Sequence, residues 1–143
     1  MPYVGALQRL AVTCMLGVTV SKYILIVDDS EAIRSAMRVL LERQSGIGVC
    51  GEAVDGLDAL EKARYLSPDL IILDLAMPRM NGLQTARELR DRGVRAPIIL
   101  FTMHADIVPS REALAAGVSA VVSKMNLAGL QRHIETLFLS SNT

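Results

Sequence analysis

The sequence predicts a single α/β domain with a five-stranded parallel sheet, doubly wound by helices on both faces. Three observations carry that reading. Short apolar runs alternate with stretches of helical period. Each run is followed by one helix, which implies right-handed crossovers and a parallel sheet. Four runs lead straight into polar residues: Asp28-Asp29, Asp74, Thr102 and Lys124. A continuous apolar run that stops on a polar residue reads as a buried strand with its tip in a cleft. In open parallel sheets, ligands bind at the carboxyl ends of strands.

The elements follow in order. Tyr23–Val27 is a short apolar strand. Residues 31–44 carry Ile33, Met37, Leu40 and Leu41 at helical spacing, with Ser30 as N-cap and Gly46 beyond the end. Residues 49–53 make a second strand, less purely apolar and therefore nearer an edge. Residues 57–66 are helical, with Leu60 and Ala63 on one face, and Ser67-Pro68 stops them. Leu70–Leu73 is the third strand. A loop with Pro78 and Gly82 leads to a helix over residues 83–92, closed by Gly93. Residues 97–101 form the fourth strand and residues 108–116 a helix ended by Gly117. Ala120–Ser123 is the fifth strand. Residues 127–139 are the last helix, with Leu127, Leu130, Ile134, Leu137 and Phe138 along one stripe.

Composition narrows the function classes. The chain has 143 residues, so one domain is expected. Hydrophobic residues make up 51% and aromatics only 3%, so the core must be aliphatic. Fifteen basic and fifteen acidic residues give a net charge of +0, which argues against general attraction to nucleic acid or an anionic membrane. Cys14 and Cys50 lie in apolar surroundings without metal-ligand spacing, which fits a reduced, cytoplasmic setting; a bridge between them stays open.

Residues 1–21 read as an N-terminal extension, residues 22–139 as the domain and residues 140–143 as a tail. The apolar stretch from Leu10 to Val20 is too short to span a bilayer. It lacks the basic cluster and cleavage site of a secretory signal. A flexible tail, an extra packed element, or a native start at Met15 are all compatible with it. Few residues follow Lys124, and the last helix takes most of them, so no second domain is expected.

Four strand tips therefore converge acids, a hydroxyl and an ammonium on one spot. Carboxylates crowded at about 4 Å repel by roughly 4 kcal/mol per pair at an effective dielectric near 20, so such a set calls for a cation. Hard oxygen donors suit Mg²⁺, which is commonly shared with a phosphate. Asp28, Asp29, Ser30 and Glu31 equally suit a helix start, where acids and Ser cap the first turn. Asp74 has no such duty and is the best nucleophile, since carboxylates form acyl phosphates. Lys124 would supply a compact cation and Thr102 a hydroxyl; alone, each reads as an ordinary surface lysine or strand-end hydroxyl. Only three lysines occur, Lys22, Lys62 and Lys124, and one falls at this tip.

Other candidates are weaker. His104 and His133 have no partners at metal spacing and read as loop or surface residues. Met37, Met77, Met80, Met103 and Met125 read as gap fillers and loop anchors. Arg87, Arg90, Arg92 and Arg95 are interrupted by Glu88 and Asp91 and read as a solvated helix face. No phosphate-binding glycine loop and no G-x-S-x-G turn occurs.

From Lys22 to Phe138 the chain resembles the receiver domain of bacterial two-component response regulators. The run from Ile72 through Asp74, Met77-Pro78 and Asn81-Gly82 looks like the family's phosphoacceptor strand and loop. The resemblance implies a flavodoxin-like sheet in the order 2-1-3-4-5. It implies phosphorylation of Asp74 by a sensor histidine kinase or phosphotransfer protein. Asp29 would bind Mg²⁺ directly and Asp28 through water, with the backbone carbonyl of Ala76 as a further ligand. Thr102 would be the switch hydroxyl and Lys124 the phosphate-pairing lysine. Output would pass through the face of the fourth helix, fifth strand and fifth helix to a downstream protein. A homodimer through the last two elements is compatible with the resemblance. Self-phosphorylation and self-dephosphorylation are implied, not substrate turnover. The kinase would dock near Ile33, Met37 and the loop Met125–Leu127.

The segment from Leu100 to Asp106 resembles receivers attached to a LuxR-type helix-turn-helix output domain, which is not expected here, nor is direct DNA binding. Three departures bear on switching. Val121 stands where the family usually has an aromatic residue, Met125 where it often has proline, and Met103 is bulky beside the site. They favour a rival reading, a pseudo-receiver that binds partners without phosphorylation. A phosphatase is a further rival, but the acid-x-acid motif it needs is missing after the first strand and at Asp74-Leu75-Ala76.

Overall fold

A computed structural model describes residues 20–140, with side chains through Phe138. The expectations on residues 1–19, including Cys14 and the Met15 start, and on the tail after Ser140 lie outside the described residues. Five strands alternate with five helices. They are β1 (Lys22–Val27), α1 (Glu31–Glu42), β2 (Ile47–Ala53), α2 (Gly56–Leu66) and β3 (Leu70–Leu73). Then follow α3 (Gly82–Asp91), β4 (Ile98–Thr102), α4 (Ser110–Ala115), β5 (Ala120–Ser123) and α5 (Leu127–Ser140). The sheet is parallel throughout, in the order β2-β1-β3-β4-β5, so β2 is an edge as its composition implied.

Alternation along the strands splits the core into two layers. Leu25, Val27, Ile71, Leu73, Ile98 and Leu100 pack on one face against α2, α3 and α4. Ile24, Ile26, Leu70, Ile72, Ile99 and Phe101 pack on the other against α1 and α5. Strands β3 and β4 are buried along their whole length, as central strands covered on both faces must be. Phe101 is the one fully enclosed aromatic side chain in either layer, with Phe138 packed at the margin, so the core is aliphatic as composition required.

The starts of α1, α2 and α3 are capped as their residue types dictate. Ser30 accepts from the Ile33 N–H, Asp55 from the Asp58 N–H, and Asn81 with Gln84 forms a reciprocal capping box. Two expectations need correction. The helix expected over residues 108–116 is shorter and begins only at Ser110. A single 3-10 turn, Ala105–Ile107, precedes α4, and Val108 is extended at φ −86 and ψ 112. Pro109 is the cause, because its ring drives the preceding residue out of the helical region. Arg90 is not on a solvated face. Its guanidinium donates to the carbonyls of Val94 (2.8 Å), Ala96 (2.8 Å) and Gly117 (2.7 Å), at the amino ends of β4 and β5. Burial pushes its pKa down.

Candidate functional site

Strand register brings the site together. Val27 pairs with Leu73, so Asp28 and Asp74 leave neighbouring strands side by side, and the Asp74 N–H donates to the Val27 carbonyl at 2.9 Å. Thr102 pairs with Ser123, so Lys124 is the next residue out, and its N–H donates to the Thr102 carbonyl at 2.9 Å. Carboxylate oxygens of Asp28, Asp29 and Asp74 all lie within 4.8 Å of one another. The Lys124 ammonium bridges two of them, at 2.7 Å from Asp28 Oδ2 and 3.3 Å from Asp74 Oδ1.

Burial makes this cluster costly. Asp28 is 2% exposed and Asp74 5%, whereas Asp29 is exposed. Burial and then the neighbouring Asp28 charge push the Asp74 carboxyl above its ordinary range, while Lys124 pulls it back. Three carboxylates face one ammonium, so the protein's own charges leave the acids under-compensated. A divalent cation fits that donor set: hard oxygens, two buried and one open to water, with the charge excess on the acid side. Ala76 is exposed in the loop two residues beyond Asp74.

The remaining predicted residues fall around the same tips. Thr102 is fully buried, and its hydroxyl accepts from the His104 N–H at 3.1 Å. Gly82 explains the Asn-Gly step of the loop. A Cβ there would collide with the backbone carbonyl of Asp74 and the Cα of Leu75, so only glycine lets α3 start against the strand tip. Val121 is half-buried against the α2–α4 layer. Met37 and Met77 are buried, but Met103 is 55% exposed and Met125 80%, so the last two are not gap fillers. Both directly follow strand-tip residues, where the chain turns out to solvent. No described peptide bond is cis, including the one before Met125.

Ile33, Met37, Met103 and Leu127 line an apolar groove of about 430 Å³ between α1 and α5, whose rim includes Lys124. His104 and His133 are exposed, as expected. One residue at the site was missed. Arg34 donates to the Asp28 carbonyl at 2.7 Å from one turn inside α1. Nothing in the sequence marks it, because an arginine in a helix's first turns ordinarily reads as surface charge.

The comparisons with known proteins agree with this geometry. The profile of the response regulator receiver domain matches residues 24–135. The chain is 39% identical over 115 residues to a protein-glutamate methylesterase/protein-glutamine glutaminase of Nocardioides sp., covering 78% of this chain and 31% of that protein. It is 38% identical over 105 residues to the Regulator of RpoS of Escherichia coli, covering 73% of this chain and 31% of that protein. The chain thus spans about a third of the length of these curated relatives. Among solved structures, a two-component response regulator of the LuxR family from Aurantimonas sp. superposes with a TM-score of 0.77 at 32% identity, over 84% of this chain and 86% of that one. The response regulator protein TrrA from Thermotoga maritima, solved in complex with Mg(2+)-BeF, superposes with a TM-score of 0.73 at 32% identity, over 81% and 98%. No helix among the described residues is long and apolar enough to cross a membrane. The chain belongs to the response regulator receiver domain family of two-component systems.

Proposed function

We propose that this chain accepts a phosphoryl group on the Asp74 carboxylate from a phosphohistidine of a sensor kinase or phosphotransfer protein. The observation that carries the reading is the convergence of Asp28, Asp29 and Asp74 within 4.8 Å, with Lys124 bridging Asp28 and Asp74. A carboxylate oxygen of Asp74 attacks phosphorus. The new O–P bond forms as the donor's N–P bond breaks, and that electron pair stays on the imidazole nitrogen. Transfer of this kind depends on positioning and charge compensation more than on acid–base groups. Asp74 is held by its own N–H at the end of β3, and Lys124 stands beside it to pair with a phosphoryl oxygen.

Asp29 and Asp74 would hold Mg²⁺ directly, Asp28 through water, and the Ala76 carbonyl would complete the set. When bound, the cation neutralises charge on the transferring oxygens. The Thr102 hydroxyl, now an acceptor from His104, would turn to donate to the phosphoryl group. The added charge, about −1.5 to −2, would then shift the population of the α4–β5–α5 face. The apolar groove between α1 and α5 suits the donor protein's approach. Residues 22–139 act as the signalling unit in the cytoplasm, passing the signal to a partner protein and turning over no substrate of their own.

Intact mass after incubation with acetyl phosphate tests this, with and without Mg²⁺, on the native chain and Asp74→Asn. The expected result is one phosphoryl adduct, dependent on Mg²⁺ and absent from the variant. A beryllofluoride titration guards against rapid hydrolysis. Failure of both would sink the reading in favour of a phosphorylation-independent binding module.

A further inference from the structure

We infer that Arg34 is a positioning residue for the divalent-cation site, fixing the peptide between Asp28 and Asp29 and so the direction from which Asp29 reaches the cation. The inference rests on the reading of Asp28, Asp29 and Asp74 as the cation site. Its starting point is an asymmetry between the acids. The Asp28 side chain is held twice, by the Ser30 N–H at 2.9 Å and by Lys124 at 2.7 Å. Asp74 is held by Lys124 and by its own backbone N–H. The Asp29 carboxylate is exposed and has no hydrogen bond or ion pair among the described residues. Its placement therefore depends on the backbone it hangs from.

That backbone lies beyond the last residue of β1, where the sheet's ladder no longer serves it. The Asp28 N–H is still paired, to the Ala53 carbonyl at 3.1 Å. The Asp28 carbonyl is half of the peptide that carries Asp29, and its side-chain partner is Arg34 Nη1 at 2.7 Å. The same guanidinium is anchored behind by Glu52 on β2, Nε to Oε1 at 3.1 Å, and its side chain is only 11% exposed. Glu52 is in turn held by Arg38 at 2.8 Å. A planar fork held at one end and donating at the other is stiff, which a lysine cannot reproduce. The edge strand β2 thus braces the acidic turn through a side chain.

The sign of the effect separates positioning from charge. Arg34 is a cation near a cation site, so by Coulomb's law its removal should tighten Mg²⁺ binding. Loss of an outer hydrogen-bond partner of a metal's ligands typically weakens binding by 10- to 100-fold. Positioning therefore predicts the opposite direction from electrostatics.

The experiment is a Mg²⁺ titration of the unphosphorylated chain, followed by the amide NMR shifts of residues 28–30. Native, Arg34→Met, Arg34→Lys and Asp29→Asn chains are compared, with a thermal melt of each in metal-free buffer. The expected result is about tenfold or more weaker binding for Arg34→Met. Arg34→Lys, with its charge kept, should lose less, and Asp29→Asn most. Should Arg34→Met fail to fold, Arg34→Lys decides, since its weaker binding can only be geometric. Arg34 variants that bind Mg²⁺ as tightly as the native chain, or more tightly, overturn the inference while the site stands. A native chain without Mg²⁺-dependent shifts, or an Asp29→Asn chain that binds like native, overturns the site reading and the inference with it.

Discussion

The two ends of the sheet handle buried charge in opposite ways. At the amino ends of β4 and β5, Arg90 sends four hydrogen bonds to three carbonyls, and every partner is protein. At the carboxyl ends, one ammonium bridges two of three clustered carboxylates, and Asp74 is left with its pKa pushed upward. One end is complete as folded. The other keeps more negative than positive charge among its own side chains, as a cation site would. A charged group inside a protein therefore marks a ligand site when its compensation is missing, not merely when it is buried.

The contrast yields predictions of opposite sign. Arg90→Met should cost most, roughly 2–4 kcal/mol, because it removes the side-chain donor from three part-buried carbonyls at once. Urea denaturation checks this, and a loss under 1 kcal/mol would break the contrast from the stable end. Asp74→Asn should do the reverse. In metal-free buffer it relieves the repulsion with Asp28 and should stabilise the fold by about 1 kcal/mol. A lower melting temperature than native would show that the acids are already compensated.

The smallest effect belongs to the charge pairs that border the site along α1 and β2. Burial opposes the charge on Glu52, but hydrogen bonds from Arg38 and Arg34 outweigh it and hold its carboxyl below the ordinary 4.5. A carboxyl whose pKa falls on folding adds stability above its unfolded pKa and loses it as pH drops through the folded value. Glu52 is partly exposed, so the contribution is about 0.2–1 kcal/mol at neutral pH. The stability gap between native and Glu52→Gln should close as pH is lowered below 4.5. A gap that stayed constant with pH would remove the ion pairs from the account.

Legibility differed between these regions for physical reasons. The carboxyl-end site could be read because buried strands must be apolar, so Asp74 and Thr102 stand out where the runs stop. Gly82 could be flagged as a turn residue, but its near-collision with the Asp74 carbonyl exists only in three dimensions. Arg90 was misread because its acidic neighbours Glu88 and Asp91 make the helix look solvated, while its partners lie as far off as Gly117. Arg34 was missed for a similar reason, since its bond to the Asp28 carbonyl needs α1 to fold back over the end of β1. The α4 boundary was different. Pro109 was visible, and its effect on Val108 was underweighted against the apolar period.

The bond from the Lys124 N–H to the Thr102 carbonyl is a rung placed beyond the last residue of β5. It ties the two strand tips together one residue past the regular pairing. On its inner side β4 is laced to the buried β3, from Ile71–Ile98 to Leu73–Leu100. On the outer side β5 is the last strand of the sheet. A displacement of the β4 tip would therefore pull on the backbone of Lys124 through this one bond, at the open margin of the sheet.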